Sequence, residues 1–238
     1  MLSTRSASLL DCRVSRAPFV RWAGRLKEPF NALSHLVGTL LAAVGTIWLL
    51  AVAFGRPWHL MAAAIFGAAS ITLFAASTLL HAVRGRPERV ERLRRADHAA
   101  IFVLIAGSYT PVALVSLRES GSPWAWPLFI TVWVLAVAGV VFKLRWFGGP
   151  RWLSTALYVG MGWLAVVAIR PLALSVPTEG IVLLAVGGLL YSVGAVVYAL
   201  KRPDPAPRVI GYHGLWHLFV LAGWAAHFAM MALYVLAG

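Results

Sequence analysis

Seven times along its 238 residues this chain runs apolar for about 20 residues or more, and that repetition limits what it can fold into. The blocks lie roughly at 31–54, 58–82, 97–117, 124–144, 152–170, 178–200 and 211–236. A helix that crosses the hydrocarbon core of a bilayer needs about 20 apolar residues, so each block is long enough to span. Breaks of Gly, Pro or charge separate them: "GRP" at 55–57, "RGRPERVERLRR" at 84–95, "RESGSP" at 118–123, "RWFGGPR" at 145–151, "RP" at 170–171 and "KRPDPAPR" at 201–208. Only 12% of the residues are charged, against about a quarter in soluble domains, and mean hydropathy is +0.80. One buried soluble core cannot absorb this pattern. There is no strand alternation and no internal repeat. The pattern predicts an all-α integral membrane protein, a seven-transmembrane bundle whose short connections make consecutive helices antiparallel neighbours.

The charges test that count. Formal net charge is +13, which in a soluble protein would point to nucleic acid. Here the cations sit between the apolar blocks, and no nucleic-acid partner is expected. Positive residues favour the cytoplasmic side of a membrane. Eighteen of the 21 Lys and Arg fall in the N-terminal arm and in the second, fourth and sixth connections. The exceptions are Arg56, Arg118 and Arg170. That alternation is what seven spans require, with the N-terminus cytoplasmic and the C-terminus outside. It divides the chain into a basic cytoplasmic arm, 1–30, and a seven-transmembrane domain, 31–238. The arm lacks the continuous apolar core of a signal peptide, leaving two readings: a segment lying on an anionic membrane face, or a basic, acid-poor transit peptide. A single cysteine, Cys12, permits no intrachain disulfide. Trp22, Trp58, Trp124, Trp126, Trp146 and Trp152 lie near block ends, as interfacial anchors do. Gly187, Gly188 and Gly194 would let the sixth span approach a neighbour closely.

Ionisable groups inside spans are rare and usually functional. His81 closes the second span in "STLLH", with Ser77 four residues earlier on the same face. Asp97 and His98 open the third, in "ADHAAIFVLIAGSYTP". His213 and His217 open the seventh, at i, i+4 spacing on one face. Under the charge-derived topology His81, Asp97, His213 and His217 share one depth near the cytoplasmic face. Four potential ligands from three helices at one level form a divalent-metal site, and imidazole suits zinc. The bland readings remain beside this one. A histidine at a span end can bond backbone or headgroups. Asp97 can cap the third span or pair with Arg94 or Arg95. His59 reads as interfacial. His227 lies ten residues past His217, about 15 Å deeper, and reads as an interhelical hydrogen-bonder. Tyr109, Thr110 and Pro111 mark a kink satisfied by neighbours.

Four ordered motifs, "EPFNALSH", "STLLH", "DHAAIFVLIAGSYTP" and "HGLWH", stand at the expected span ends. In them the chain resembles the hemolysin III family, the bacterial branch of the progestin and adipoQ (adiponectin) receptor superfamily, over nearly its whole length. The resemblance implies a zinc site near the cytoplasmic face of a seven-helix bundle. By it the ligands would be His81, His213 and His217, Asp97 would hold the zinc-bound water, and Ser77 would lie beside it. It leaves Glu28, Asn31 and His35 without assigned roles. The long N-terminal domain of the animal receptors has no counterpart in the short arm, which argues against hormone recognition.

Two functions follow as expectations. One is a zinc-dependent, ceramidase-like hydrolase cleaving a lipid amide or ester within a multi-pass bacterial inner-membrane protein, with membrane lipids as partners. The other is non-enzymatic: a membrane-homeostasis sensor, receptor-like protein or pore-forming hemolysin in which the zinc is structural. The topology is open to direct measurement. A reporter fused after Gly238 should read as external and one placed within 84–95 as cytoplasmic; a cytoplasmic C-terminus would break the span count and the shared depth of the ligands.

Overall fold

The computed structural model describes residues 26–146, 148–207 and 209–236. The basic arm up to residue 25, with Trp22 and Cys12, lies outside the described residues. Among those described there is no strand. The helices are α1 (Pro29–Val52), α2 (Pro57–Ala82), α3 (Pro87–Pro111), α4 (Ala125–Arg145), α5 (Arg151–Gly162), α6 (Ile169–Ser175), α7 (Thr178–Leu200) and α8 (Gly211–Met230). Three of them open on proline, whose missing N–H costs nothing in a first turn and whose φ is already helical. α3 and α8 each continue as a π-helical turn, Val112–Leu117 and Met231–Val235. Pro111 stands at the first of these transitions, where it has no N–H to give the ladder. Thr110 beside it donates its hydroxyl to the Ala106 carbonyl at 2.9 Å and accepts from Trp133 Nε1 at 3.1 Å. The sequence reading of a kink there is thus met by a π-helical turn, with Trp133 as the neighbour that bonds Thr110.

Among the described residues six helices are long and apolar enough to cross a membrane, and a bent pair makes a seventh when counted as one span. This is the architecture of a multi-pass integral membrane protein. α1 to α4 pack in sequence, α7 packs on α8, and α8 returns to lie against α1. α3 is the central helix. Val44, Ile47, Val134 and Val196 stand exposed on the outside, which is the expected surface toward lipid. Gly187 and Gly194 do meet α8 closely: a Cβ on Gly187 would lie 3.1 Å from the Gly223 carbonyl oxygen, and one on Gly194 would lie 2.6 Å from Phe219 Cβ. Gly188 has nothing near it and faces a cavity instead.

Three expectations need correction. The third helix begins at Pro87, about ten residues before the apolar block, so the charged stretch "PERVERLRR" is helix rather than loop. Glu91 takes Arg94 and Arg95 at i+3 and i+4, each at 3.3 Å, which supports that polar extension. Asp97 therefore sits inside α3 and is not a cap. Secondly, His59, in the first turn of α2 and so near a span end as read, turns its ring into the bundle instead of toward headgroups, with Nδ1 3.4 Å from Glu119 Oε1.

The third correction is the fifth span. α5 gives way to a 3-10 turn, Trp163–Val166, and α6 follows across a bend of 57°. Apolar length alone cannot reveal such a break. Its backbone groups find partners on Tyr109 of α3, whose hydroxyl donates toward the Gly162 carbonyl at 2.6 Å and accepts from Ala165 N–H at 2.8 Å. A buried polar group stripped of its partner costs about 1–3 kcal/mol. Tyr109→Phe should lose stability in that range and raise hydrogen exchange over residues 160–168, leaving α1 and α2 protected. Unchanged exchange at the break would show that Tyr109 does not hold it.

Candidate metal centre

His81 arrives on the last turn of α2, and His213 and His217 on the first two turns of α8. The start of α8 is fixed from outside the helix. Asp204 Oδ1 accepts a hydrogen bond from the Tyr212 N–H at 2.7 Å. One residue on, His213 projects toward α2.

The three imidazoles form a nearly equilateral triangle. Ring centroids are 5.0 Å apart for His81–His213, 4.8 Å for His81–His217 and 4.8 Å for His213–His217. One coordinating nitrogen from each can be chosen so that all lie within 4.8 Å of one another. His81 and His217 are buried, and His213 is half-buried. His81 Nε2 and His213 Nε2 stand 3.3 Å apart. At metal–nitrogen distances of about 2.0–2.1 Å, two corners of a tetrahedron are about 3.3–3.4 Å apart. A proton or a metal ion can lie between two such nitrogens. The third imidazole, with a ring nitrogen within 4.8 Å of both, favours the ion, and a set of three neutral histidines suits a borderline divalent cation. The residues present therefore fit a metal.

Asp97 is not within ligand distance of this group. It lines the same cavity, half-buried, with the buried Ser77 in hydrogen-bonding reach of its carboxylate. Arg94 and Arg95, its alternative partners, turn to Glu91. His227 does what its depth implied, meeting the Leu184 carbonyl across to α7 at 3.2 Å.

Residues left without a role in the sequence reading also reach the site. Glu28 Oε2 accepts from His81 Nδ1 at 2.6 Å. That hydrogen bond holds the Glu28 carboxyl well below the usual carboxylate range. His35 is buried and stacks on His217 with centroids 3.7 Å apart, and neither of its ring nitrogens has a partner. Their i, i+3, i+7 spacing with Asn31 in "EPFNALSH" was the available signal: it puts all three on one helix face.

A cavity of about 790 Å³ begins at this cluster. Lys27, Glu28, Arg94 and Arg151 line its polar end. Leu104, Val112, Leu172 and Leu184 line its apolar depth. Such a volume is in the range of small-molecule sites.

A family model for haemolysin-III related proteins matches residues 23–228. The chain belongs to that family. It is similar to the hemolysin-3 homolog of Bacillus subtilis (strain 168), 38% identical over 210 residues that cover 87% of this chain and 94% of that one. It is similar to hemolysin-3 of Bacillus cereus, 37% identical over 212 residues, 88% of this chain and 92% of the relative. More distant is the human monocyte to macrophage differentiation factor, 28% identical over 175 residues, 72% of this chain and 69% of the relative. The chain is thus a haemolysin-III related membrane protein whose histidine cluster can hold a metal ion.

That capacity can be measured on purified protein. Elemental analysis should find about one divalent metal ion per chain, and His217→Ala, which leaves two of three imidazoles, should remove most of it. Metal-free wild-type protein that takes up none on reconstitution would rule out the site.

Proposed function

We propose that this haemolysin-III related protein is a zinc-dependent hydrolase that cleaves an amide or ester bond of a lipid. The observation that carries this reading is the position of the three histidines at the polar end of a long cavity whose depth is apolar. A headgroup and its scissile carbonyl would sit among polar side chains, with the acyl chain running along α3 and α7. When bound, zinc supplies Lewis acidity toward a carbonyl and lowers the pKa of water.

The chain's own residues supply the proton chemistry and the environment. Asp97 stands beside the triangle as the base that takes a proton from the attacking water and returns it to the leaving nitrogen or oxygen. Ser77, buried in the wall of the same cavity, would donate a hydrogen bond to that carboxylate and fix it. The apolar wall below keeps bulk water from the bond and binds the chain by burial of its methylenes. His35 bears on the choice between a catalytic and a purely structural metal. A structural zinc is closed by four protein ligands, whereas a catalytic one keeps a position open. His35 is the nearest further imidazole, and it stacks on the face of His217 without joining the ligand group. The set stays at three.

The reading is tested by separating metal retention from turnover. Asp97→Asn keeps volume and a carbonyl but cannot take a proton. It should fold and retain zinc, while hydrolysis of a short-chain ceramide-like or other lipid-amide substrate falls about 10²–10⁴-fold. His81→Ala should lose metal and activity together. If zinc-loaded wild type and Asp97→Asn behaved alike across a broad lipid screen in bilayers and detergent, the hydrolase would give way to a sensor with a structural metal.

A further inference from the structure

We infer that the first turns of α1 are a positioning shell for the metal centre, with Glu28 fixing His81 and Ser34 fixing His217, each through Nδ1. This deepens the metal reading above and rests on it.

The geometry is specific on both sides. Glu28 Oε2 accepts from His81 Nδ1 at 2.6 Å and from Asn31 Nδ2 at 2.9 Å. The other carboxylate oxygen lies 3.2 Å from Lys27 Nζ. The carboxylate is therefore held at both oxygens. Its backbone is pinned as well: Glu28 N–H donates to the His81 carbonyl at 2.9 Å, and Lys27 N–H to the Ala82 carbonyl at 3.3 Å. The residue that contacts the imidazole is thus tied to the backbone of the same turn. On the other side, the Ser34 hydroxyl donates to the Asn31 carbonyl at 3.1 Å. With its proton so used, its oxygen faces His217 Nδ1 at 3.4 Å as an acceptor.

Both contacts have the same consequence. A histidine whose Nδ1 carries the proton presents a lone pair at Nε2, and an acceptor on Nδ1–H fixes that tautomer and the ring orientation. A carboxylate acceptor also makes Nε2 a stronger donor to a cation. His81 Nε2 is the nitrogen that faces His213. Asn31 serves both arms, giving its side-chain amide to Glu28 and its carbonyl to Ser34. The E-x-x-N-x-x-S run of α1 is thereby read as one device. Asn31 and Ser34, three residues apart, share a face of α1, Glu28 stands at its N-cap, and together they meet the end of α2 and the start of α8. Glu28 is a positioning residue, since it touches a ligand and not the reacting atoms.

The test is zinc affinity of the full chain in detergent or nanodiscs, measured by competition with a chelating indicator. The variants are wild type, Glu28→Gln, Glu28→Ala and Ser34→Ala. Metal-free melting curves are recorded alongside. Glu28→Ala should bind zinc about 10–100-fold more weakly, with a smaller loss for Ser34→Ala. Glu28→Gln should fall between wild type and Glu28→Ala, because its amide oxygen still accepts the Nδ1 proton but carries no charge. The metal-free melting temperature should not follow that order. Equal affinity in all four proteins overturns the inference and leaves the metal reading standing. A loss in Glu28→Ala matched by an equal loss in Glu28→Gln and a fall in metal-free stability also overturns it, since a simple tether would do the same. Wild-type protein that binds no zinc removes the metal reading, and this inference with it.

Discussion

Hydrocarbon offers no hydrogen-bond partner, so every polar group in a spanning segment must find one within the protein. Much of the bundle can be understood from that requirement. Hydroxyls fold back on carbonyls four residues earlier, as with Thr39 on His35, Thr46 on Ala42, Thr78 on Phe74 and Ser108 on Leu104. Indoles reach across to hydroxyls, Trp224 to Ser70 at 2.9 Å and Trp133 to Thr110 at 3.1 Å. Arg56 gives its guanidinium to the Leu236 carbonyl, where the π-helical end of α8 leaves one available. Where the backbone of the fifth span is interrupted, Tyr109 supplies the missing partners. Buried polar atoms without a partner include those of His35, Tyr191 and His227, and all three residues line the cavity. The wall that can meet a ligand is where the rule is relaxed.

The broken span and the cavity are one feature. α5 and α6 pack thinly on their neighbours compared with the tight pairs α1–α2, α3–α4 and α7–α8. A straight apolar helix at that position would close against α3 and α7. Beside the bend the cavity is lined by Leu104, Val112 and Leu184. Tyr158, on α5, still reaches the His98 carbonyl at 3.0 Å, so the first half of the span is anchored to α3 near the histidines. The polar end of the cavity is thus the better fixed end, which is where bond cleavage would require fixed geometry.

The sequence carried the bundle and the grouping of His81, His213 and His217 because both are one-dimensional signals. An apolar run has a length, and charge alternation orders the runs. Helical spacing puts Ser77 with His81, and His213 with His217, on shared faces. Those features survive without any knowledge of tertiary contact. The parts that stayed hidden depend on contacts between distant segments. Glu28 and His81 are 53 residues apart, Ser34 and His217 are 183 apart, and Tyr109 meets a carbonyl 53 residues away. No local pattern announces such pairings. The charged start of α3 was misread as loop for another reason. Hydropathy marks where a helix enters the membrane, and a helix with internal Glu–Arg pairs can begin well before it. The partner of His59 stayed hidden because Glu119 lies on a connection that composition alone marks only as polar.

The arrangement of ligands also ties metal binding to the integrity of the bundle. His81 is on α2 and the other two histidines are on α8, helices whose packing is mediated largely by α1. An ion held by all three would cross-link them directly. Any ligand that binds only the folded state stabilises it, by about 4 kcal/mol when present at a thousand times its dissociation constant. A bound metal would therefore stabilise this end of the bundle whether or not it also performs chemistry, and a stability gain on metal loading does not distinguish a catalytic from a structural site. The distinction rests on coordination. Three imidazoles lie together, a fourth lies stacked against one of them, and Asp97 is not among the grouped ligands, so on the proposed reading one coordination position remains for water. A centre built only to brace two helices has no need of that remaining position, nor of a cavity that leads from it into the apolar interior.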